Sequence, residues 1–237
     1  MTGYFQMTGQ QNRIKQGAYL EAFGLIGKEA PVVAVVGAGG KTTLIELLAE
    51  EYVKTGSRVI VTTTTHMLCP MQYSVLFTDK PGIIDEISPA DMVSFVKEKI
   101  NELPSGILYI AEHTADFARS RKLAPISEAF QKALFQCGYP VLIEADGSKG
   151  LPCKVPGAHE PVIPEEASTV IGVLSARAVG QPIEKCCHRA ELAAKLLHKS
   201  AEDVIEMQDL EKIAASEYGL RKSVQDSMEF YAVLNRY

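Results

Sequence analysis

The feature that most constrains the fold is an apolar run that ends abruptly in glycines. Residues 32–36 read Val-Val-Ala-Val-Val, and the chain continues as Gly37, Ala38, Gly39, Gly40, Lys41, Thr42 and Thr43. A run of β-branched residues is typical of a buried parallel strand. Glycines let backbone N–H groups approach an anion, and a following helix adds its positive N-terminal end. The pattern predicts a strand, a phosphate-binding loop over residues 37–43 and a helix.

The residues after the glycines indicate a nucleoside triphosphate as the ligand. Lys41 supplies a point charge for the β- and γ-phosphates, and the Thr42 hydroxyl is placed to meet the Mg²⁺ that accompanies them. The usual pattern G-x-x-x-x-G-K-S/T would require a glycine where Val35 stands. Written as G-x-G-G-K-T-T, the loop resembles the compact loop of the Mur ligases and related P-loop enzymes. The alternative is a glycine-rich turn that binds no ligand.

The stretch 140–147 predicts a second apolar strand, which carries two carboxylates at its carboxyl end. These are Glu144 and Asp146, and residues two apart on a strand share a face. A charge within an apolar strand is costly unless it has a partner such as a metal or a base. We therefore expect Thr42, Glu144 and Asp146 to hold Mg²⁺. Lys41, Glu144 and Asp146 are the expected catalytic residues, with Glu144 orienting the attacking group.

Two further segments supply candidate contacts to the nucleotide. A strand predicted over residues 58–63 runs into Thr64, and in open α/β sheets ligands gather at the carboxyl ends of strands. The glycine- and proline-rich segment 146–164 is too long for an ordinary loop, which indicates a functional role. Its candidates for contact with substrate or γ-phosphate are Lys149, Lys154, His159 and Glu160.

The order of the predicted elements indicates an α/β fold with a mostly parallel sheet flanked by helices. Residues 1–16 are polar and are expected to form a flexible segment without assigned structure. Residues 17–184 are expected to form a P-loop nucleotide-binding α/β domain. Residues 185–237 are expected to form a smaller helical portion that ends in a short strand.

Composition excludes several classes of function. A net charge of −5 gives no basic footprint for nucleic acid. No apolar run approaches the roughly 18 residues of a membrane span, and the polar opening has no signal-peptide core, so a cytoplasmic location is expected. The five cysteines show no C-x-x-C spacing, and they indicate neither a disulfide framework nor a zinc site.

Four motifs together resemble the YqeC family, which is described as selenium-dependent hydroxylase accessory proteins. They are GAGGKTT at 37–43, VTTTTHM at 61–67, EADGSKGLPCKVPGAHEPVIP at 144–164, and the pair His188-Arg189. The resemblance implies a P-loop, NTPase-like protein associated with selenium-containing molybdenum hydroxylases or with their cofactor-maturation proteins. Asn235 is not followed by a base-recognition turn, so the choice between ATP and GTP stays open.

Three functional hypotheses follow from these motifs. The first is Mg²⁺-dependent binding and hydrolysis of ATP or GTP by an accessory factor in hydroxylase maturation. The second is an ATP-dependent kinase or ligase acting on a small molecule related to the molybdenum–selenium cofactor. The third is a nucleotide-sensing module without turnover. The position of the loop 149–160 distinguishes the first two hypotheses. If the loop lines a pocket beside the γ-phosphate, a small-molecule substrate is favoured. If it forms an exposed ridge, a protein partner is favoured.

Overall fold

The computed structural model describes residues 3–6, 13–15, 17–79 and 89–236. Its strands are β1 Gly3–Gln6, β2 Arg13–Ile14, β3 Val32–Gly37, β4 Val59–Thr63, β5 Met67–Leu68, β6 Ser74–Phe77, β7 Ile107–His113, β8 Lys122–Ala124, β9 Val141–Glu144, β10 Cys153–Lys154, β11 Thr169–Ser175, β12 Cys187–His188 and β13 Glu229–Arg236. Its helices are α1 Tyr19–Ala22, α2 Lys41–Lys54, α3 Pro89–Glu102, α4 Phe117–Ser120, α5 Glu128–Phe135, α6 Ile183–Cys186, α7 Ala190–Leu197 and α8 Met207–Ala215, with a 3₁₀ turn at Ala176–Ala178.

Eleven strands form one sheet whose centre is parallel. Ten of them follow the order β2-β1-β13-β11-β3-β9-β4-β7-β8-β5, and β6 pairs with β7. The pairs from β13 through β7 are parallel, and antiparallel pairs occur only towards the edges of the described sheet. The predicted α/β fold with a mostly parallel sheet flanked by helices is confirmed. Strand β3 lies between β11 and β9, so both neighbours reach the loop that follows it.

Strand β3 is buried on both faces, which explains its continuous apolar sequence. Val33 and Val35 pack with α1 and α2, whereas Val32, Ala34 and Val36 pack on the opposite side with residues of α3 and α5. Alternate residues of a strand point to opposite faces, so helices on both sides bury every position. A third cluster joins α6, α7 and α8 to the ends of β11 and β13. The sheet therefore holds the residues around Gly37 in a packed setting.

The N-terminal segment differs from the sequence-based prediction, whereas the predicted last strand is present. The segment 1–16, expected to lack structure, contributes β1 and β2, while residues 1–2, 7–12 and 16 lie outside the described part. The last strand is eight residues long and lies between β1 and β11. It pairs in parallel with β11 over seven positions, from Thr169–Glu229 to Ser175–Asn235. The predicted C-terminal portion, residues 185–237, thus shares the main sheet with residues 17–184.

Helices α1 and α4 are single turns of four residues each. Within the described ranges, no helix has the length and apolar character needed to cross a bilayer.

Candidate functional site

The loop between β3 and α2 has the backbone shape that its glycines predict. Strand β3 ends at Gly37 and α2 begins at Lys41. Gly37, Gly39 and Gly40 have φ angles of 97°, 72° and 132°, a region that L side chains rarely adopt. The N-cap residue of α2 is Gly40, which has no side chain of its own to cap the helix, and the first N–H groups of a helix have no partner within it. This helix end therefore has donors to offer to an anion.

Close packing against β11 also requires glycine at position 37. A Cβ atom there would lie 2.1 Å from the carbonyl oxygen of Val173, and the N–H of Ala38 donates to the same oxygen at 2.8 Å. At Gly39 a Cβ atom would lie 2.5 Å from Cβ of Ser175. The loop is therefore fixed to the carboxyl end of its neighbouring strand.

Gly37→Ala is expected to lower the free energy of unfolding by about 3 kcal/mol, since it combines backbone strain with overpacking. Gly150→Ala is the matched control, because Gly150 has φ +76° and a Cβ atom added there would meet nothing within 4 Å. The control should lose only the backbone contribution, about 1 kcal/mol. Urea unfolding of the two variants measures the difference. Equal losses would contradict the close approach of Val173 to the loop.

Lys41 is buried and lies between the loop and two carboxylates. Its side chain is 4% exposed, and Nζ donates to the carbonyl oxygen of Gly37 at 2.8 Å. Nζ lies 3.3 Å from Oδ1 of Asp146 and 3.7 Å from Oε1 of Glu144. A buried ammonium needs such partners because desolvation of an unpaired charge is costly. The predicted set Lys41, Glu144 and Asp146 does come together in space.

Thr42 and Glu144 form the part of this cluster that faces the cavity. The Thr42 hydroxyl donates to Oε2 of Glu144 at 2.8 Å, and both residues line the main cavity described below. Burial raises the pKa of Glu144, and the charge of Lys41 and the hydrogen bond from Thr42 only partly oppose this. A cation bound here would favour the ionised carboxylate, so these two oxygen ligands suit a metal site.

Asp146 lies behind the loop and is not among the residues that line the cavity. The residue is 1% exposed. Its Oδ2 accepts a hydrogen bond from the N–H of Gly37 at 2.9 Å and lies 3.1 Å from Nζ of Lys154. Within the described chain Oδ1 accepts no hydrogen bond, although Nζ of Lys41 is 3.3 Å away. This carboxylate therefore joins the loop backbone to two lysines.

The ion-pair network continues from Lys154 to α7. Lys154 is fully buried, and its Nζ lies 2.6 Å from Oε2 of Glu160. The same oxygen accepts a hydrogen bond from Nη1 of Arg189 at 2.7 Å. Burial opposes ionisation of Glu160, but the hydrogen bonds from Arg189 and Lys154 outweigh it and lower its pKa to about 2. Lys154, predicted to contact the nucleotide, is instead enclosed in this network.

The loop opens into a cavity of about 1100 Å³ that is rich in positive charge. Among the described residues, two carboxylates line it, Glu144 and Glu160, against five cationic side chains: Lys41, Lys122, Lys149, Arg177 and Arg189. The whole chain has a net charge of −5, so the excess of cations is a local feature. Such a cavity attracts anionic ligands.

Several predicted site residues line this cavity and others do not. Gly39, Gly40, Thr43 and Lys149 line it, and Gly37 and Ala38 form the buried start of the same loop. His159 is exposed and absent from the lining. Thr64 lies elsewhere, because its hydroxyl donates to the carbonyl oxygen of Val162 at 2.7 Å. Strand β9 lies between β3 and β4, which separates Thr64 from the loop.

The structure adds residues that the sequence-based prediction left without a role. Arg177 lies in the 3₁₀ turn that follows β11 and lines the cavity, and Arg189 belongs to a recognised motif that received no function. Nδ2 of Asn235 donates to the carbonyl oxygen of Gly39 at 2.8 Å, so β13 supports the loop. The place of Arg177 depends on the pairing of β11 with β3, which the sequence alone does not show.

The cysteines and histidines of the described ranges form no metal-binding cluster. No group of three or more His, Cys, Asp or Glu side chains in those ranges is arranged to hold a metal ion. All five cysteines are free, with Sγ of Cys187 lying 3.4 Å from Sγ of Cys153.

Comparison with known proteins identifies a family. Residues 33–191, more than half of the chain, match the family described as YqeC protein. YqeC of Escherichia coli (strain K12) is 29% identical over 212 residues, which cover 89% of this chain and 77% of that protein. No solved structure matches the chain. The matched region contains the glycine loop, both carboxylates and Arg189, and the chain therefore belongs to the YqeC family.

Proposed function

We propose that this protein is a P-loop NTPase that binds and hydrolyses ATP or GTP in a Mg²⁺-dependent manner. One observation carries the proposal: Lys41 and Thr42, at the start of α2, meet Glu144 from the adjacent strand at the edge of a basic cavity. A nucleoside triphosphate and its metal require this combination: a strand, a glycine loop, a lysine and a hydroxyl, together with a carboxylate.

The phosphate chain would bind at the loop and the first turn of α2. The backbone N–H groups of residues 39–43 and the positive end of the helix would face the β- and γ-phosphates. Nζ of Lys41 is paired with Glu144 and Asp146. When a nucleotide binds, it would give up part of these ion pairs and form hydrogen bonds with phosphate oxygens instead. Asp146 would act through Lys41 as a positioning residue, because it holds the loop and the lysine without lining the cavity.

The donor set fits Mg²⁺, which prefers oxygen ligands and keeps several waters. Thr42 Oγ1 and the Glu144 carboxylate would supply the protein ligands, and they lie within hydrogen-bond distance of each other at 2.8 Å. When bound, the metal would neutralise charge on the β- and γ-phosphates. Glu144 would also orient the attacking group, because its carboxylate faces the cavity where that group must enter.

The cellular role that we propose is that of an accessory factor in the maturation of selenium-dependent molybdenum hydroxylases. Family membership and the motifs of the loop segment support this role. The partners would be such a hydroxylase or its cofactor-maturation proteins, and the location would be the cytoplasm.

A second candidate is an ATP-dependent kinase or ligase that acts on a small molecule related to the molybdenum–selenium cofactor. The observation that favours it is the course of the loop after Asp146. Gly147, Ser148, Lys149 and Glu160 line the same cavity as Lys41 and form part of its wall. The cavity volume of about 1100 Å³ exceeds the roughly 300–1000 Å³ of a typical single-ligand pocket. There is space for a second substrate beside a nucleotide.

A thermal-shift panel of ATP, GTP, ADP and GDP, each with and without Mg²⁺, tests the proposal. A ligand at 100 times its Kd stabilises the native state by about 2.7 kcal/mol, which is roughly 5–10 °C in Tm for a chain of this size. We expect this shift for one triphosphate with Mg²⁺ and a smaller one without it. No shift with any nucleotide would contradict the proposal. Phosphate release then separates an NTPase from a sensing module, which would bind without turnover.

A further inference from the structure

Part of the cavity wall comes from segments outside the phosphate loop and carries its own positive charge. Lys149 belongs to the loop after β9, Arg177 follows β11, and His188 and Arg189 precede α7. We call these four residues the basic wall. Among the described residues, the carboxylate that lines this part of the cavity is Glu160, which is already shared between Lys154 and Arg189. The basic wall therefore has more positive charge than its carboxylate balances.

Arg189 is held in place before any ligand binds. Its Nη1 donates to Glu160 at 2.7 Å, and Glu160 is fixed in turn by the fully buried Lys154. Gly157 leaves room for the guanidinium, because a Cβ atom at that position would lie 2.6 Å from Nε of Arg189. A fixed donor loses less conformational freedom on binding than a mobile one. These contacts make Arg189 a pre-organised cation at the edge of the cavity.

Arg177 is the second arginine of the basic wall, and its guanidinium is not fixed in this way. It is exposed, lines the cavity, and forms no ion pair with any residue in the part of the chain that the structure describes. Burial and the charges of Arg189, Lys154 and Lys149 lower the pKa of His188, and Glu160 only partly opposes them. Arg189, Lys154 and Lys149 therefore lie close enough to the half-buried imidazole to act on it electrostatically, and such a cluster of cations favours a bound anion.

We propose that the basic wall is the subsite for a second ligand, a small organic anion with a carboxylate or phosphate group, bound beside the nucleotide. Arg177 and Lys149 would contact the anion from the cavity surface, and Arg189 would orient it. The wall is linked to the phosphate loop through Glu160, Lys154 and Asp146. Its place beside a nucleotide rests on the proposed function, whereas its affinity for an anion does not.

Calorimetric titration of the full chain with succinate and with inorganic phosphate, in the presence and absence of saturating Mg²⁺ and a non-hydrolysable ATP analogue, tests this inference. Sodium chloride at matched ionic strength and the neutral diamide of succinate are the ligand controls. We expect one of the two anions to bind, and Arg177→Gln and Lys149→Gln each to weaken it about 10-fold. Arg119→Gln is the control variant, because Arg119 is exposed and absent from the cavity lining. It should leave anion affinity unchanged.

The outcomes separate this inference from the proposed function. Anion binding that depends on Arg177 while no nucleotide binds would support the subsite and contradict the proposed function. Nucleotide binding without any anion binding beyond the sodium chloride control would overturn the subsite. Equal weakening of nucleotide and anion by Arg177→Gln would also overturn it, because the wall would then belong to the nucleotide site itself.

Discussion

Lys41→Ala is expected to weaken nucleotide binding by about 100-fold or more. A hydrogen bond between an ammonium group and a phosphate contributes up to about 3 kcal/mol, and each 1.4 kcal/mol is a factor of ten in Kd. Lys41 also separates Glu144 from Asp146, so its removal leaves two carboxylates facing the phosphates. Repulsion from these carboxylates should add to the loss. Isothermal titration with the triphosphate that gives the largest thermal shift measures the effect.

Two further variants distinguish loss of a contact from loss of the fold. Lys41→Met keeps the apolar part of the side chain within the buried site and should bind as poorly as Lys41→Ala. Lys132→Ala removes an exposed lysine that pairs with Glu128 on α5, and nucleotide affinity should be unchanged. Unaltered affinity in folded Lys41→Met would remove the central claim about the loop.

Asp146→Asn is expected to lower the free energy of unfolding by about 3–5 kcal/mol, the usual loss when one partner of a buried ion pair is removed. The carboxylate has three interactions, with the N–H of Gly37, Lys41 and Lys154. Asparagine has a similar shape but would leave Lys154 with Glu160 as its remaining carboxylate. Domains are typically stable by about 5–15 kcal/mol, so the loss is a large fraction of the total. Urea unfolding measures it.

A double-mutant cycle identifies the cause of this loss. Lys154→Met removes the buried ammonium, so Asp146→Asn should be less harmful in the Lys154→Met background by about 1 kcal/mol or more. Asp116→Asn is the surface control, because Asp116 is half exposed, and it should change stability by less than about 0.5 kcal/mol. Strictly additive losses from Asp146 and Lys154 would show that the pair does not couple.

The Asp146 variant also tests which residues hold the metal. If Asp146 acts through Lys41, folded Asp146→Asn should bind nucleotide more weakly but still require Mg²⁺. Thr42→Ala, which removes a hydroxyl that lines the cavity, should reduce the Mg²⁺ requirement instead. Loss of the Mg²⁺ requirement in Asp146→Asn would make this carboxylate a direct ligand.

The centre of the site could be predicted from the sequence because its signals are local. The apolar run 32–36, the glycines and Lys41 are adjacent in the sequence. The carboxyl end of the second strand can also be recognised there, because its apolar run ends just before Glu144. The meeting of Glu144 with Thr42 follows from one assumption, that the two strands are parallel and close. Strands β3 and β9 are indeed direct neighbours.

The remaining contacts depend on pairings between distant segments. Thr64 was expected at the loop, but the intervening β9 moves the end of β4 one strand away. Lys154 was expected at the substrate, but β10 pairs with β12, which encloses the lysine with Asp146 and Glu160. Arg177 lies at the cavity because β11 pairs with β3. Strand neighbours are set by the whole sheet, and a single sequence does not reveal them.

The hydrogen bond between Asn235 and Gly39 also bears on how the protein is made. The two residues are 196 positions apart, and Asn235 lies on the last described strand, next to β11. Ribosomes add about 5–20 residues per second, so roughly 10–40 s separate the synthesis of these residues. Strand β11 is complete at Ser175, and from then until β13 has been made it lacks one of its two neighbours, so its open edge is available to other nascent chains. Chaperones would be expected to act during this interval, and a nucleotide would meet a finished loop only after translation has passed residue 235.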